Sequence, residues 1–144
     1  MTYKPTYPVL VVTKTTTAQQ VFEAVVDHLE KQGKPCVKTH QPDESVSNYC
    51  TNRNNEGGAC AAACLLTNEE SVNGSFNELM MNNIVPARLI EFSGLILELQ
   101  GAHDKAKRVG ALVRGDRTIN EGLAEVAKAH GLTFSKPITT WDFV

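Results

Sequence analysis

Residues 86–103 read Pro86-Ala87-Arg88-Leu89-Ile90-Glu91-Phe92-Ser93-Gly94-Leu95-Ile96-Leu97-Glu98-Leu99-Gln100-Gly101-Ala102-His103. Leu89, Phe92, Ile96, Leu99 and His103 follow one another at steps of three and four, which places them on one face of an α-helix. Leu95 widens that stripe. Pro86 suits the first helical position, where no backbone N–H is needed. A second stripe lies upstream, formed by Val21, Phe22, Val25, Val26 and Leu29. Thr17 with Gln20 is a capping box that opens this helix, and Gly33 followed by Pro35 closes it. Each apolar face must be covered. Leu89, Phe92, Ile96 and Leu99 are therefore expected to pack against Val21, Phe22, Val25 and Leu29.

Two more capping boxes mark further helices. Ser75 with Glu78 opens a short one with Phe76, Leu79 and Met80 inward. Thr118 with Glu121 opens the last one, whose face is Ile119, Leu123, Val126 and Ala127, and Gly131-Leu132 reads as its Schellman ending. The β signal is small beside these helices. Val9-Leu10-Val11-Val12 is a short β-prone run, and Ala111-Leu112-Val113 between Gly110 and Gly115 is a strand or a loop. The fold expected is α+β: a mainly helical single domain over residues 1–144 with a small sheet. Residues 1–8 hold two prolines and few anchors and are expected to form a flexible tail. Residues 34–58 are a long polar loop, of the kind that is commonly functional or mobile.

The bulk properties exclude several classes. The 144 residues suffice for a real core, and 42% apolar with 21% charged residues is ordinary for a globular domain. Fourteen basic against 16 acidic side chains give a net charge of −2, which argues against general nucleic-acid binding. No apolar run is long enough for a transmembrane helix, and the N-terminus has no apolar signal core. These features point to the cytosol, where all four cysteines are expected to be thiols.

The candidate chemistry lies between Cys50 and Leu66. A polar loop rich in asparagine, with Arg53 and Gly57-Gly58, runs into the small apolar stretch Ala59-Cys60-Ala61-Ala62-Ala63-Cys64-Leu65-Leu66. The stretch reads as a buried helix with Cys60 in its first turn, where free N–H groups and the helix dipole lower a thiol pKa. Three readings stay open. Cys60 is a nucleophile served by His103 and Asp104, although adjacent helical residues point about 100° apart. Cys60 and Cys64 are small hydrophobes in a tight contact. Cys50, Cys60 and Cys64 share a metal, but no second close cysteine pair completes a structural zinc site, so no metal and no cofactor are expected. Arg53 offers a fork for phosphate or carboxylate, with Asn52, Asn54, Gly57, Gly58 and Cys60 as further ligand-binding residues. Lys105, Lys107, Arg108, Arg114 and Arg117 form a second, diluted basic segment.

Taken in order, His28-Leu29-x-x-Gln32-Gly33, Cys50-x-x-Arg53, Gly57, Cys60-Ala61-x-x-Cys64-Leu65-Leu66 and Leu99-Gln100-x-x-His103-Asp104 form a recurrent pattern. It resembles a family of short, uncharacterised proteins encoded by tailed bacteriophages, with the pattern H-L-x-x-Q-G, C-x-Y-R, C-A-x-G-C-L-I and L-Q-x-x-H-D. This chain has Asn52 in place of the tyrosine and Ala63 in place of the glycine. The resemblance implies phage origin and an accessory, counter-defence role in the host cytoplasm. The expected mode is binding of a small anionic, nucleotide-like immune signal or of a host defence protein, by a homo-oligomer. The alternatives are a cysteine-dependent hydrolase or transferase using Cys60 and His103, and a structural or interaction module with no small ligand.

Overall fold

The computed structural model describes residues 3–36, 52–54, 57–107, 117–141 and 143–144. Among them are five α-helices: α1 (Ala18–Gln32), α2 (Asn68–Ser71), α3 (Phe76–Met81), α4 (Ser93–Lys105) and α5 (Ile119–Ala129). Two 3-10 segments, Ala63–Leu65 and Ala87–Phe92, complete the helical elements.

The three expected capping boxes form. Thr17, Ser75 and Thr118 each accept from the backbone N–H three residues on, and the Gln or Glu there reaches back to the cap. A fourth box, Thr67 with Glu70, opens α2. Its Thr-x-x-Glu signature is plain in the sequence, but the helix is a single turn with no apolar period to draw attention to it. Gly33 ends α1 at φ 76°, a left-handed conformation that glycine adopts without a Cβ penalty, and its N–H bonds Leu29 O. Leu132 N–H bonds Ala127 O at 2.8 Å, the long bond of the expected Schellman ending at Gly131. The helix expected from Pro86 is in two parts, a 3-10 turn to Phe92 and then α4.

The expected small sheet is absent among the described residues, and the fold there is mainly helical. The only pairings of β type among them are isolated bridges between Arg53 and Ala59 and between Ala106 and Arg117. The run Val9–Val12 makes one ladder-like bond, Val9 N–H to Cys64 O at 2.8 Å. A strand needs an extended partner, and the segment opposite it turns helically at Ala63 instead. The Ala111–Val113 segment lies outside the described residues. Two residues of the expected tail reach the body of the fold. Tyr3 Oη lies 3.1 Å from His28 Nδ1, and Tyr7 Oη donates to Gly57 O at 2.9 Å.

The two long stripes meet as expected. Val21, Phe22, Val25, Leu29, Leu89, Phe92, Ile96 and Leu99 are all buried in one cluster that also takes in the cysteine segment, α5 and Trp141. Trp141 is tied to α1 by an indole bond to Leu29 O at 3.1 Å. Cys60 and Cys64 are free, whereas Cys36 is disulfide-bonded. The expectation of four thiols is corrected there, because sequence spacing does not reveal which cysteines the fold brings together. Truncating Ile96, which has no exposed surface, to alanine should cost ~2–5 kcal/mol of stability. Chemical denaturation of wild type and Ile96→Ala checks this, and equal midpoints would remove Ile96 from the core.

Candidate functional site

Ala59 to Leu66 is buried along its whole length, with no residue more than 4% exposed. It is not the expected helix. Ala61 and Ala62 form a turn, and only Ala63–Leu65 is helical, as a 3-10 segment. Burying irregular backbone is costly unless its polar groups find partners. Here every carbonyl from residue 59 to residue 66 has one.

Three carbonyls are met by backbone N–H groups without a side chain: Cys60 O by Cys64 N, Ala62 O by Leu65 N and Cys64 O by Val9 N. Side chains take the rest. His28 Nε2 lies 3.0 Å from Ala59 O, and Cys64 Sγ donates to Ala61 O at 3.1 Å. Arg53 Nη1 donates to Ala63 O at 2.7 Å, where Leu66 N–H also arrives, and its Nη2 donates to Leu66 O at 3.0 Å. Arg88 Nη2 donates to Leu65 O at 3.0 Å. Amide side chains serve the N–H side. Gln32 Oε1 accepts from Ala59 N at 2.9 Å, and Gln100 Oε1 accepts from Ala62 N at 2.8 Å. His28 and Gln32 are one helical turn apart on α1, so they grip the C=O and N–H of the same residue.

The expected ligand-binding residues all belong to this scaffold. Arg53 is half-buried, stacked 3.9 Å over the Tyr7 ring, and directs its fork at carbonyls and at Asn68 Oδ1 rather than outward. Asn52 is buried at φ 72°, a conformation asparagine tolerates, and its Nδ2 donates to Ser71 O and Gly74 O at 2.6 Å each. Asn54 Oδ1 accepts from Gly58 N at 2.8 Å, and Asn54 O accepts from Gly57 N at 3.2 Å. A Cβ on Gly58 would come within 3.1 Å of Asn54 Oδ1 and Gln32 Oε1, so a larger residue there would have these two side chains shift by a few tenths of an ångström. Asn48 and Cys50 lie outside the described residues, as do Arg108 and Arg114 of the second basic segment.

Of the candidate catalytic residues, His103 and Asp104 contact one another, and no hydrogen bond among the described residues joins either to Cys60. Burial pushes the Cys60 thiol up to about 11, the reverse of the lowering expected at a helix start. No α-helix begins there to supply a dipole. Burial pushes Cys64 up as well. His103 is buried, and its Nε2 accepts from Cys36 N at 3.0 Å, which leaves the ring proton on Nδ1. Nδ1 lies 3.0 Å from Asp104 Oδ1, so Asp104 does orient His103. The expected obstacle of a 100° offset is overcome because Asp104 sits at the rim and its carboxylate bends back, held by Gln100 Nε2 at 2.7 Å. Among the described residues, no three His, Cys, Asp or Glu side chains converge in a way that could hold a metal ion.

Sequence reasoning did not single out Arg88 and Glu70. The Arg88 fork is bidentate on Glu70, at 2.8 and 2.7 Å, and holds its carboxyl down at about 2. Glu70 is also the N3 residue of the unread capping box, which was the available signal.

No family model, no curated protein and no solved structure matches the chain.

Two outcomes follow for the scaffold. Arg53→Ala should lose ~2–3 kcal/mol of stability, because carbonyls it serves in a buried segment lose a charged donor. Arg53→Lys should recover little of this, since an ammonium cannot span both sites as a fork does. Urea titrations of the three proteins provide the check, and a wild-type midpoint for Arg53→Ala would show that the guanidinium is dispensable to the fold.

The second outcome concerns pH. Burial lowers His28 from 6.5 to about 4. Between those values the unfolded chain takes up a proton that the folded chain refuses. The His28 contribution is therefore complete above pH 6.5 and is lost as pH falls toward 4, by up to ~3 kcal/mol. His28→Gln should flatten the stability profile in that window, leaving the fall from Glu70 at lower pH. An unchanged slope in His28→Gln would exclude His28 as its source.

Proposed function

We propose that this chain is a phage accessory protein that acts in the host cytoplasm by binding, and that its thiols carry no chemistry. It would capture either a small nucleotide-like immune signal or a host defence protein. The phage and counter-defence elements of this reading are supported by the motif resemblance. Binding over catalysis is supported by one observation: the only nucleophile–base pair that the motifs suggest is locked inside the fold. Cys60 is 4% exposed, and His103 Nε2 is occupied by the Cys36 N–H. A general base must be free to take a proton from the nucleophile or substrate.

A protein partner is favoured by the surface between α2 and α4. Val72, Met81, Ile84 and Ile90 lie within a short stretch of chain and are 81%, 73%, 50% and 59% exposed. Exposed large apolar side chains carry an argument for a protein partner where they share one contiguous surface, and these four are close along the chain. No helix among the described residues is long and apolar enough to cross a membrane.

The test is to incubate the full chain with a panel of cyclic and linear nucleotides, denature it, and identify what is released. Intact nucleotide means sequestration, and no uptake directs the search to a protein partner. An altered product would overturn the binding reading. Cys60→Ser should retain whatever binding is found, because the hydroxyl fills nearly the same space. A folded Cys60→Ser protein that has lost function would instead point to a thiolate mechanism.

A further inference from the structure

We propose that Asn73 is a site of spontaneous covalent modification, converting to aspartate and isoaspartate within the folded protein. Asn73-Gly74 is the one Asn-Gly pair in the sequence. It forms the turn between α2 and α3, where such pairs are at home, and Asn73 is exposed. The Gly74 nitrogen loses its proton and adds to Asn73 Cγ. The Cγ–Nδ2 bond breaks, and Nδ2 leaves as ammonia. Water then opens the resulting cyclic imide at either carbonyl, giving aspartate or isoaspartate. The step needs an unheld side-chain amide, an unheld N–H on the next residue and little bulk beside it.

The turn supplies all of these. Neither the Asn73 side chain nor the Gly74 N–H makes a hydrogen bond among the described residues. The bonds on either side pass the pair by: Asn73 N–H reaches Glu70 O at 3.2 Å, and Ser75 N–H reaches Glu78 Oε1 at 2.8 Å. Gly74 has no Cβ to obstruct the attack, and its φ of 125° suits glycine. The other described asparagines are held. Asn52, Asn54, Asn68, Asn77 and Asn120 each have a side-chain hydrogen bond. Asn82 and Asn83 are followed by N–H groups already bonded to Met80 O and Leu79 O.

The two products differ in consequence. Aspartate adds a charge and leaves the main chain unaltered. Isoaspartate inserts a methylene into the main chain just before Gly74, whose carbonyl accepts from the buried Asn52 at 2.6 Å. Displacing that carbonyl takes an acceptor from a buried donor, so isoaspartate destabilises the fold and aspartate does not.

The experiment is to incubate the full chain in mildly alkaline buffer made with heavy-oxygen water, digest it, and read every asparagine by mass spectrometry. A parallel incubation in urea gives the rate without a fold. Asn73 should convert before any other asparagine, faster as pH rises, and at a folded rate within a few-fold of the urea rate. Another asparagine reacting first, or a folded rate far below the urea rate, would overturn the proposal, because the fold would then close the turn. Asn73→Asp should keep the wild-type urea midpoint, and aged protein enriched in isoaspartate should unfold at lower urea. Aged protein with the Asn73→Asp midpoint would overturn the structural consequence.

Discussion

The structure depends on the burial of an irregular backbone segment. Ala59 to Leu66 carries side chains small enough to sit at the centre of the molecule, yet it is mostly neither helix nor strand. Its polar groups must be met from outside, and the surrounding elements are arranged to do so. α1 contributes His28 and Gln32, and α4 contributes Gln100. The preceding loop sends back Arg53, and the 3-10 turn before α4 sends Arg88. Each of these is a polar or charged group on the inner side of its element, where an apolar residue would otherwise be expected. Their cost of burial is offset by the carbonyls and N–H groups they satisfy.

This explains why the motif residues look catalytic in one dimension and structural in three. Histidine, glutamine, arginine and asparagine are suited both to chemistry and to capping stray backbone groups. The chain Cys36 N–H to His103, His103 to Asp104, and Gln100 to Asp104 resembles a relay in composition, but its ends are a backbone amide and the Ala62 N–H. It joins the residue-36 region, α4 and the cysteine segment. The resulting interior is closed around the thiols, with Cys60 4% exposed and Cys64 fully buried.

α4 shows how one helix serves two purposes. Its inner face carries Leu95, Ile96, Leu99 and His103 into the core. Its outer face carries Glu98, Gly101, Ala102 and Lys105 along a groove shared with α5. Gly122 brings α5 close, with its would-be Cβ 3.2 Å from Ala102 Cβ.

The sequence by itself determined the helices that announce their own ends and faces. Thr17, Ser75 and Thr118 are local caps, Gly33 and Gly131 are local stops, and the α1 and α4 stripes need only a period of 3.6 to be read. Those signals arise within a few residues and survive in any tertiary setting. The sequence also drew attention to the segment around Cys60, because unusual polar residues cluster there, although Arg88 was not among them. Their roles were decided only by the tertiary structure. Whether Arg53 faces a ligand or Ala63 O, and whether His103 is free or engaged, depends on groups 10 to 67 positions away, and whether Cys60 is activated or silenced depends on exclusion of water. The same holds for the sheet missing among the described residues: Val9–Val12 has strand propensity, but a strand exists only when another extended segment lies beside it, and here the opposing backbone turns away.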